Sequence, residues 1–129
     1  MVSGLLMRVF MTKWFARFTR NEQIEDTSLL EAISRAERGL IDADLGGGLI
    51  KQRVARQGKG RSGGYRMIVA YRAKNRAIFL FGFAKSEMEN VAENQLAVAR
   101  DIARKLLAAD DKEIARSIAD RELLEVKDG

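Results

Sequence analysis

The chain has 129 residues and contains no cysteine, no histidine and no proline. Lacking cysteine, it can form neither disulfides nor thiolate metal sites. Lacking histidine as well, it cannot build a His-based triad, an activated thiol or a zinc site of the usual ligand sets. Any chemistry falls to Lys, Arg, Tyr, Ser or carboxylates. Long apolar runs are also missing: the longest, Ala77 to Ala84, is far below the roughly 20 residues of a membrane helix. The opening MVSGLLMRVFM has too short an apolar core for a signal peptide and no small-residue cleavage pattern. These absences predict a cytoplasmic chain that does not contact membrane. Acid is missing locally too. Between Leu45 and Ser86 there are ten Lys and Arg and no Asp or Glu.

What remains describes one domain over residues 1–129, with 1–6 as a flexible leader and 110–129 as a C-terminal extension. Met7–Met11 suits a short strand. Thr12 can cap a helix whose Trp14, Phe15 and Phe18 form an aromatic core face. Asp26 or Thr27 caps a second helix with a buried stripe of Leu29, Ile33, Ala36 and Leu40, ended at Gly39. Asp42 and Asp44 read as loop caps rather than a metal pair, because nothing nearby completes a coordination shell. Gly46-Gly47-Gly48 lets the chain reverse into a strand over Leu49–Arg56.

A glycine-rich loop then leads to a central strand, Tyr65–Tyr71, apolar on both faces. Its order does not match a nucleotide-binding P-loop, and it joins two strands rather than a strand and a helix. Asn75 is the expected positive-φ residue of the following turn. Arg76–Lys85 returns as a strand, with Phe79, Phe81, Phe83 and Lys85 on one face by the period of two. Ser86 and Glu89 form a capping box for a helix to about Leu107, with Val91, Leu96, Ala99, Ile102, Ala103 and Leu106 facing inward. Asp110 with Glu113 opens a short helix, and Leu123–Val126 suits an edge strand. The fold class is α+β: an N-terminal strand and helical hairpin on a mostly antiparallel sheet, in the order β-α-α-β-β-β-α with an αβ tail.

The chemistry concentrates in LIKQRVARQGKGRSGGYR, residues 49–66. Its six cations, Lys51, Arg53, Arg56, Lys59, Arg61 and Arg66, have no carboxylate among them. Such a ribbon suits nucleic acid or an acidic protein; the plainer reading is a solvated basic face. With Arg72, Arg76 and Lys85 brought into the same meander, Lys51, Arg53, Arg66 and Lys85 could line one concave face, with Lys59 and Arg61 on an overhanging loop. RNA cleavage is feasible without His. A base frees the 2′-hydroxyl to attack its own 3′-phosphate, cations stabilise the transition state, and a proton reaches the 5′-oxygen. Lys85 is the candidate base by position, since crowding by like charges lowers a lysine's proton affinity. Passive phosphate binding is the alternative.

The run G39-LIDADLGGGLIKQRVARQGKGRSGGYR-66 followed by F81-GFAKSEMEN-90 resembles the RelE superfamily of bacterial toxins, in its HigB-like branch. The resemblance extends from MRVFMTKWFARF to the ELLEV tail. It implies the RelE fold and a type II toxin–antitoxin system. The activity it implies is a metal- and cofactor-independent mRNA endonuclease in the ribosomal A site. The partners it implies are the ribosome, mRNA and a helix-turn-helix antitoxin, with operator DNA reached only through that antitoxin. By position, Arg66 resembles the family's phosphate-contacting arginine and Lys85 its catalytic strand-end lysine. Lys51, Arg53, Arg56, Lys59 and Arg61 resemble its RNA-binding cluster. Where many members carry Tyr or His near the end of the last core strand, this chain has Phe83, which can stack on a base but cannot transfer a proton; Arg61 or Arg66 would substitute as the acid. Two rival readings stand beside it: a gyrase inhibitor of the related ParE type, which would share the fold, and a non-catalytic RNA-binding module.

Overall fold

A computed structural model of the chain describes residues 7–56, 60–84 and 93–127. In chain order its elements are β1 (Arg8–Thr12), α1 (Lys13–Glu22), α2 (Asp26–Glu37), β2 (Ala43–Gly46), β3 (Leu49–Arg56), β4 (Gly60–Arg72), β5 (Arg76–Ala84), α3 (Glu93–Ala108), α4 (Asp111–Ala119) and β6 (Leu123–Val126). The strands form one sheet ordered β2-β3-β4-β5-β1-β6. All pairs are antiparallel except β1 with β5. The α+β class and mostly antiparallel sheet expected from the sequence are therefore present.

Each face of the sheet has its own core. On one, Val9, Ile50, Val54, Met67, Val69 and Phe79 pack under Phe15 of α1 and Leu29 and Ile33 of α2. On the other, Phe10, Leu49, Ile68, Ala70 and Ile78 pack under Ala99, Ala103 and Leu107 of α3 and Ile114 of α4. β4 alternates strictly between the two cores, as a central strand buried on both sides must. Local signals set several boundaries. Thr12 caps α1 by accepting from the Phe15 amide at 3.1 Å. Asp110 and Glu113 close a reciprocal capping box on α4, which satisfies two otherwise orphaned donors. Gly48 is fixed twice: its φ is +84°, and a Cβ there would come within 2.7 Å of Leu107 Cδ1.

Other expectations are corrected. The segment before the glycine triplet is itself a strand, β2, paired to the edge of β3. β4 begins at Gly60 rather than Tyr65, so residues 60–64 of the supposed glycine loop are strand. The N-cap of α2 is Glu25, with no side-chain cap bond, and the positive-φ residue of the β4–β5 turn is Lys74. Leu40, Trp14 and Ile102 are exposed at 57%, 52% and 42%. A residue's place in an apolar stripe does not ensure that another element covers it.

β5 also departs from a simple period of two. Ile68 pairs with Phe81 but Val69 pairs with Phe79, so Leu80 is an extra residue in the ladder. Such a bulge resets the alternation. Phe79 faces the α1–α2 core, while Phe81 and Phe83 lie with the α3 core. The three do not share a face. Lys85, the Ser86–Glu89 capping box and Val91 lie outside the described residues. No helix among those described is long and apolar enough to cross a membrane.

Candidate nucleic-acid interface

β3 and β4 carry the basic ribbon as a register of pairs. Arg53 lies opposite Arg66, Lys51 opposite Ile68, and Arg66 opposite Phe83 of β5. Opposed residues share a face, so Lys51, Arg53 and Arg66 all lie on the face that carries Ile68 and Leu49. α3 covers that face over Leu49, Ile68 and Ala70. Toward the Arg56–Gly60 end the face continues as cations: Arg53 is exposed, Lys51 and Arg66 half-buried. The expected gathering of Lys51, Arg53 and Arg66 is thus met by the register. Arg56 and Arg61 are placed by their backbone at the adjoining ends of β3 and β4, where Arg56 pairs with Gly60. Lys59 and Lys85 lie outside the described residues.

Two like charges opposed across a ladder repel, and the fold offsets this with an acid that the sequence pattern did not single out for the role. Asp42 accepts the Arg53 amide at 2.7 Å and the Arg53 guanidinium at 3.2 and 3.3 Å. Partial burial pushes the Asp42 carboxyl up, but these bonds and the charges of Arg53 and Arg35 outweigh it and hold the group below the usual carboxylate range. Behind the pair sits Arg35, only 4% exposed. It is bonded to Glu31 at 3.0 Å, to Asp42 at 3.5 Å and to the Arg53 carbonyl. Gln52, fully buried, ties the same corner by donating to the Ala32 carbonyl (2.9 Å) and accepting the Asp42 amide (2.8 Å). The strand end that presents Arg53 is thereby anchored from below. This network spans residues 31 to 53 and has no local sequence signature. Its one visible clue was an Asp at position 42 beside a ribbon devoid of acid.

The remaining candidates separate. Arg76 does not join the cationic face: its guanidinium donates to the carbonyls of Leu106 (2.7 Å) and Ala109 (2.9 Å), capping the C-terminal end of α3 at the opposite end of the β4–β5 hairpin. Arg72 pairs with Arg76 at that same end. Phe83 is 8% exposed and belongs to the α3 core, which leaves little of its ring for a base. Neither tyrosine replaces it as a proton donor on the Arg66 face. The Tyr65 hydroxyl donates to Glu22 at 2.9 Å on the α1 side. The Tyr71 hydroxyl is tied to Glu37, and burial together with that carboxylate pushes its ionisation far up. The face therefore offers cationic donors arranged along two strands. Chemically it can bind phosphate oxygens and stabilise developing negative charge. Among the described residues no cluster of three or more acidic side chains could hold a metal ion.

A family model described as the RelE toxin of the RelE / RelB toxin–antitoxin system matches residues 7–126. No curated protein matches the chain. The matched span runs from the residue before β1 to the last residue of β6 and so takes in every element of the sheet and all four described helices. The chain belongs to the RelE toxin family, a family of toxins that are paired with antitoxins.

Proposed function

We propose that this toxin is a ribosome-dependent mRNA endonuclease of the HigB-like kind, acting in the cytoplasm. The observation that carries the reading is the convergence of Lys51, Arg53 and Arg66 on one face of β3–β4, within a segment that has ten cations and no acid. Backbone phosphates bind along Lys51, Arg53, Arg56 and Lys59. Lys85, which follows β5 directly in sequence, takes the proton of the 2′-hydroxyl. Arg66 and Arg61 stabilise the charge on the pentacoordinate phosphate, and one of them supplies the proton to the 5′-oxygen. The 2′-oxygen bonds to phosphorus as the bond to the 5′-oxygen breaks, leaving a 2′,3′-cyclic phosphate and a 5′-hydroxyl. A base without histidine gains from a substrate held in line for attack, the service that the ribosome would provide. The partner is a helix-turn-helix antitoxin, through which the toxin would reach operator DNA.

The test is translation of a defined mRNA with and without the protein, mapping 5′ ends. New 5′-hydroxyl ends at A-site codons are expected, and Lys85→Ala should reduce them about a hundredfold. Intact mRNA under conditions where growth is arrested would reject the reading in favour of a protein-binding toxin of the ParE type. RNA that is bound but left uncut would favour the passive module.

A further inference from the structure

Past Met11 the sheet loses a strand. β1 pairs with β5 only from Arg8–Arg76 to Met11–Phe79. At Thr12 the chain turns out of the sheet to begin α1, and the Thr12 hydroxyl donates to the Leu80 carbonyl at 2.8 Å. β5 continues to Ala84. Among the described residues no strand covers the outer edge of β5 from Phe81 to Phe83. An edge of this kind is a template for another strand unless charge, proline or a covering element blunts it.

The edge forms the floor of a groove of about 740 Å³, walled by Trp14, Phe18 and Glu22 of α1 on one side and by Asn94, Gln95 and Val98 of α3 on the other. The floor is bare for a reason. A Cβ on Gly82 would come within 2.8 Å of Met67 Sδ and 2.9 Å of Phe18 Cε2. The wall on the α1 side is aromatic: Trp14 stacks on Phe18 at 5.7 Å and meets Phe81 edge-on at 6.4 Å. Trp14 and Val98 are both more than half exposed, and large apolar side chains facing each other across a groove mark a partner site. Among the described residues that line the groove none is cationic and one, Glu22, is acidic, which disfavours an RNA strand there. Lys13, Arg17 and Arg20 stand exposed on the outer surface of α1 with no carboxylate partner among the described residues.

We propose that this edge receives a short extended segment of the antitoxin, which adds a strand to β5. The segment is about four residues long. Its alternate apolar side chains meet Trp14 and Val98, and acidic residues beside it reach Lys13 and Arg17. The proposal rests on membership of a toxin–antitoxin family and not on RNA cleavage. Once seated, the segment is separated from Arg66 only by β5, whose Phe83 both lines the groove and pairs with Arg66.

Trp14 is the only tryptophan in the chain, so intrinsic fluorescence reads the groove directly. The full-length toxin is titrated with its co-encoded antitoxin, any tryptophan in the latter replaced by phenylalanine, while hydrogen exchange is followed by mass spectrometry. The expected results are a blue shift, reduced acrylamide quenching and slowed exchange over Phe81–Phe83. Val98→Glu should weaken binding about thirtyfold with an unchanged melting temperature. Complex formation that leaves Trp14 emission and Phe81–Phe83 exchange unchanged would overturn the proposal. So would burial of Trp14 without slowed exchange, the mark of an inserted helix, or an equal response to a uridylate oligonucleotide. Protection already complete in the toxin alone would show that the chain covers its own edge, and would overturn it too. No readout involves RNA cleavage, so an uncut mRNA would reject the nuclease and leave this result standing.

Discussion

The two ends of the β3–β4–β5 meander are both basic, and they use their cations differently. At the β4–β5 turn, Arg76 directs its guanidinium to the last carbonyls of α3, and the Lys74 amide donates to the carboxylate of Glu37. At the other end Arg53 is held by Asp42 and opposes Arg66, while Lys51 faces outward with no carboxylate partner among the described residues. Near a helix C-terminus a cation completes the fold, because the carbonyls there are orphaned and the helix end is negative. Gathered on one face of the strands, cations raise a positive potential toward solvent even where one of them, Arg53, also holds an acid. Charge counted along the sequence does not distinguish these cases; the position of the helix ends does.

Substitutions should split along this line. The largest loss of stability is expected from Arg35→Ala, which leaves Asp42 facing Arg53 without its buried support. A drop of about 3 kcal/mol in unfolding free energy by urea denaturation is expected, since removing one member of a buried ionic network strands the others. Arg76→Ala should cost less, about 2 kcal/mol, for two charge-assisted bonds to carbonyls, with RNA binding unchanged once the protein is folded. An Arg76 variant that kept full stability but had weaker RNA affinity would abolish the distinction between the ends.

Acid should have a smaller effect. Asp42 and Glu125 are both held below the usual carboxylate range. Asp42 reaches that state despite its burial, through Arg53 and Arg35; Glu125 reaches it chiefly through its hydrogen bond from Arg8. A carboxyl depressed in the folded state contributes stability that is fully present above its unfolded value, and that contribution disappears as pH falls through the folded one. The melting temperature should therefore be flat from pH 7 to 5 and fall below about pH 4. Asp42→Asn should remove part of that fall, about 1 kcal/mol. Equal acid sensitivity in the variant would mean that other groups carry it.

Much of the fold was legible because its signals are local. Thr12 and the Asp110–Glu113 pair cap helices through residues three apart. Gly39 takes the left-handed position after α2, and Leu49–Arg56 and Leu123–Val126 appear as strands with the expected bounds. What was not legible depends on partners distant in sequence. The bulge at Leu80 arises from the pairing of β5 with β4, so no period of two along β5 alone could place Phe79 apart from Phe81. Trp14 reads as core because Phe15 and Phe18 do, yet it lies over an edge that β1 does not reach. Arg53 reads as one of six equivalent cations until β2 brings Asp42 beside it. The cationic face was visible as a composition, and its common side only as a register.

The most direct test of the central claim is the salt dependence of RNA binding by the Lys51→Ala/Arg66→Ala double variant. Removing one cation that neutralises a phosphate should flatten the plot of log affinity against log salt by about 0.7 for a single strand. The account predicts that removing both reduces the slope by about 1.4, with a melting temperature within a few degrees of the parent. An unchanged slope would contradict it, because the two residues would then not share a surface that binds RNA.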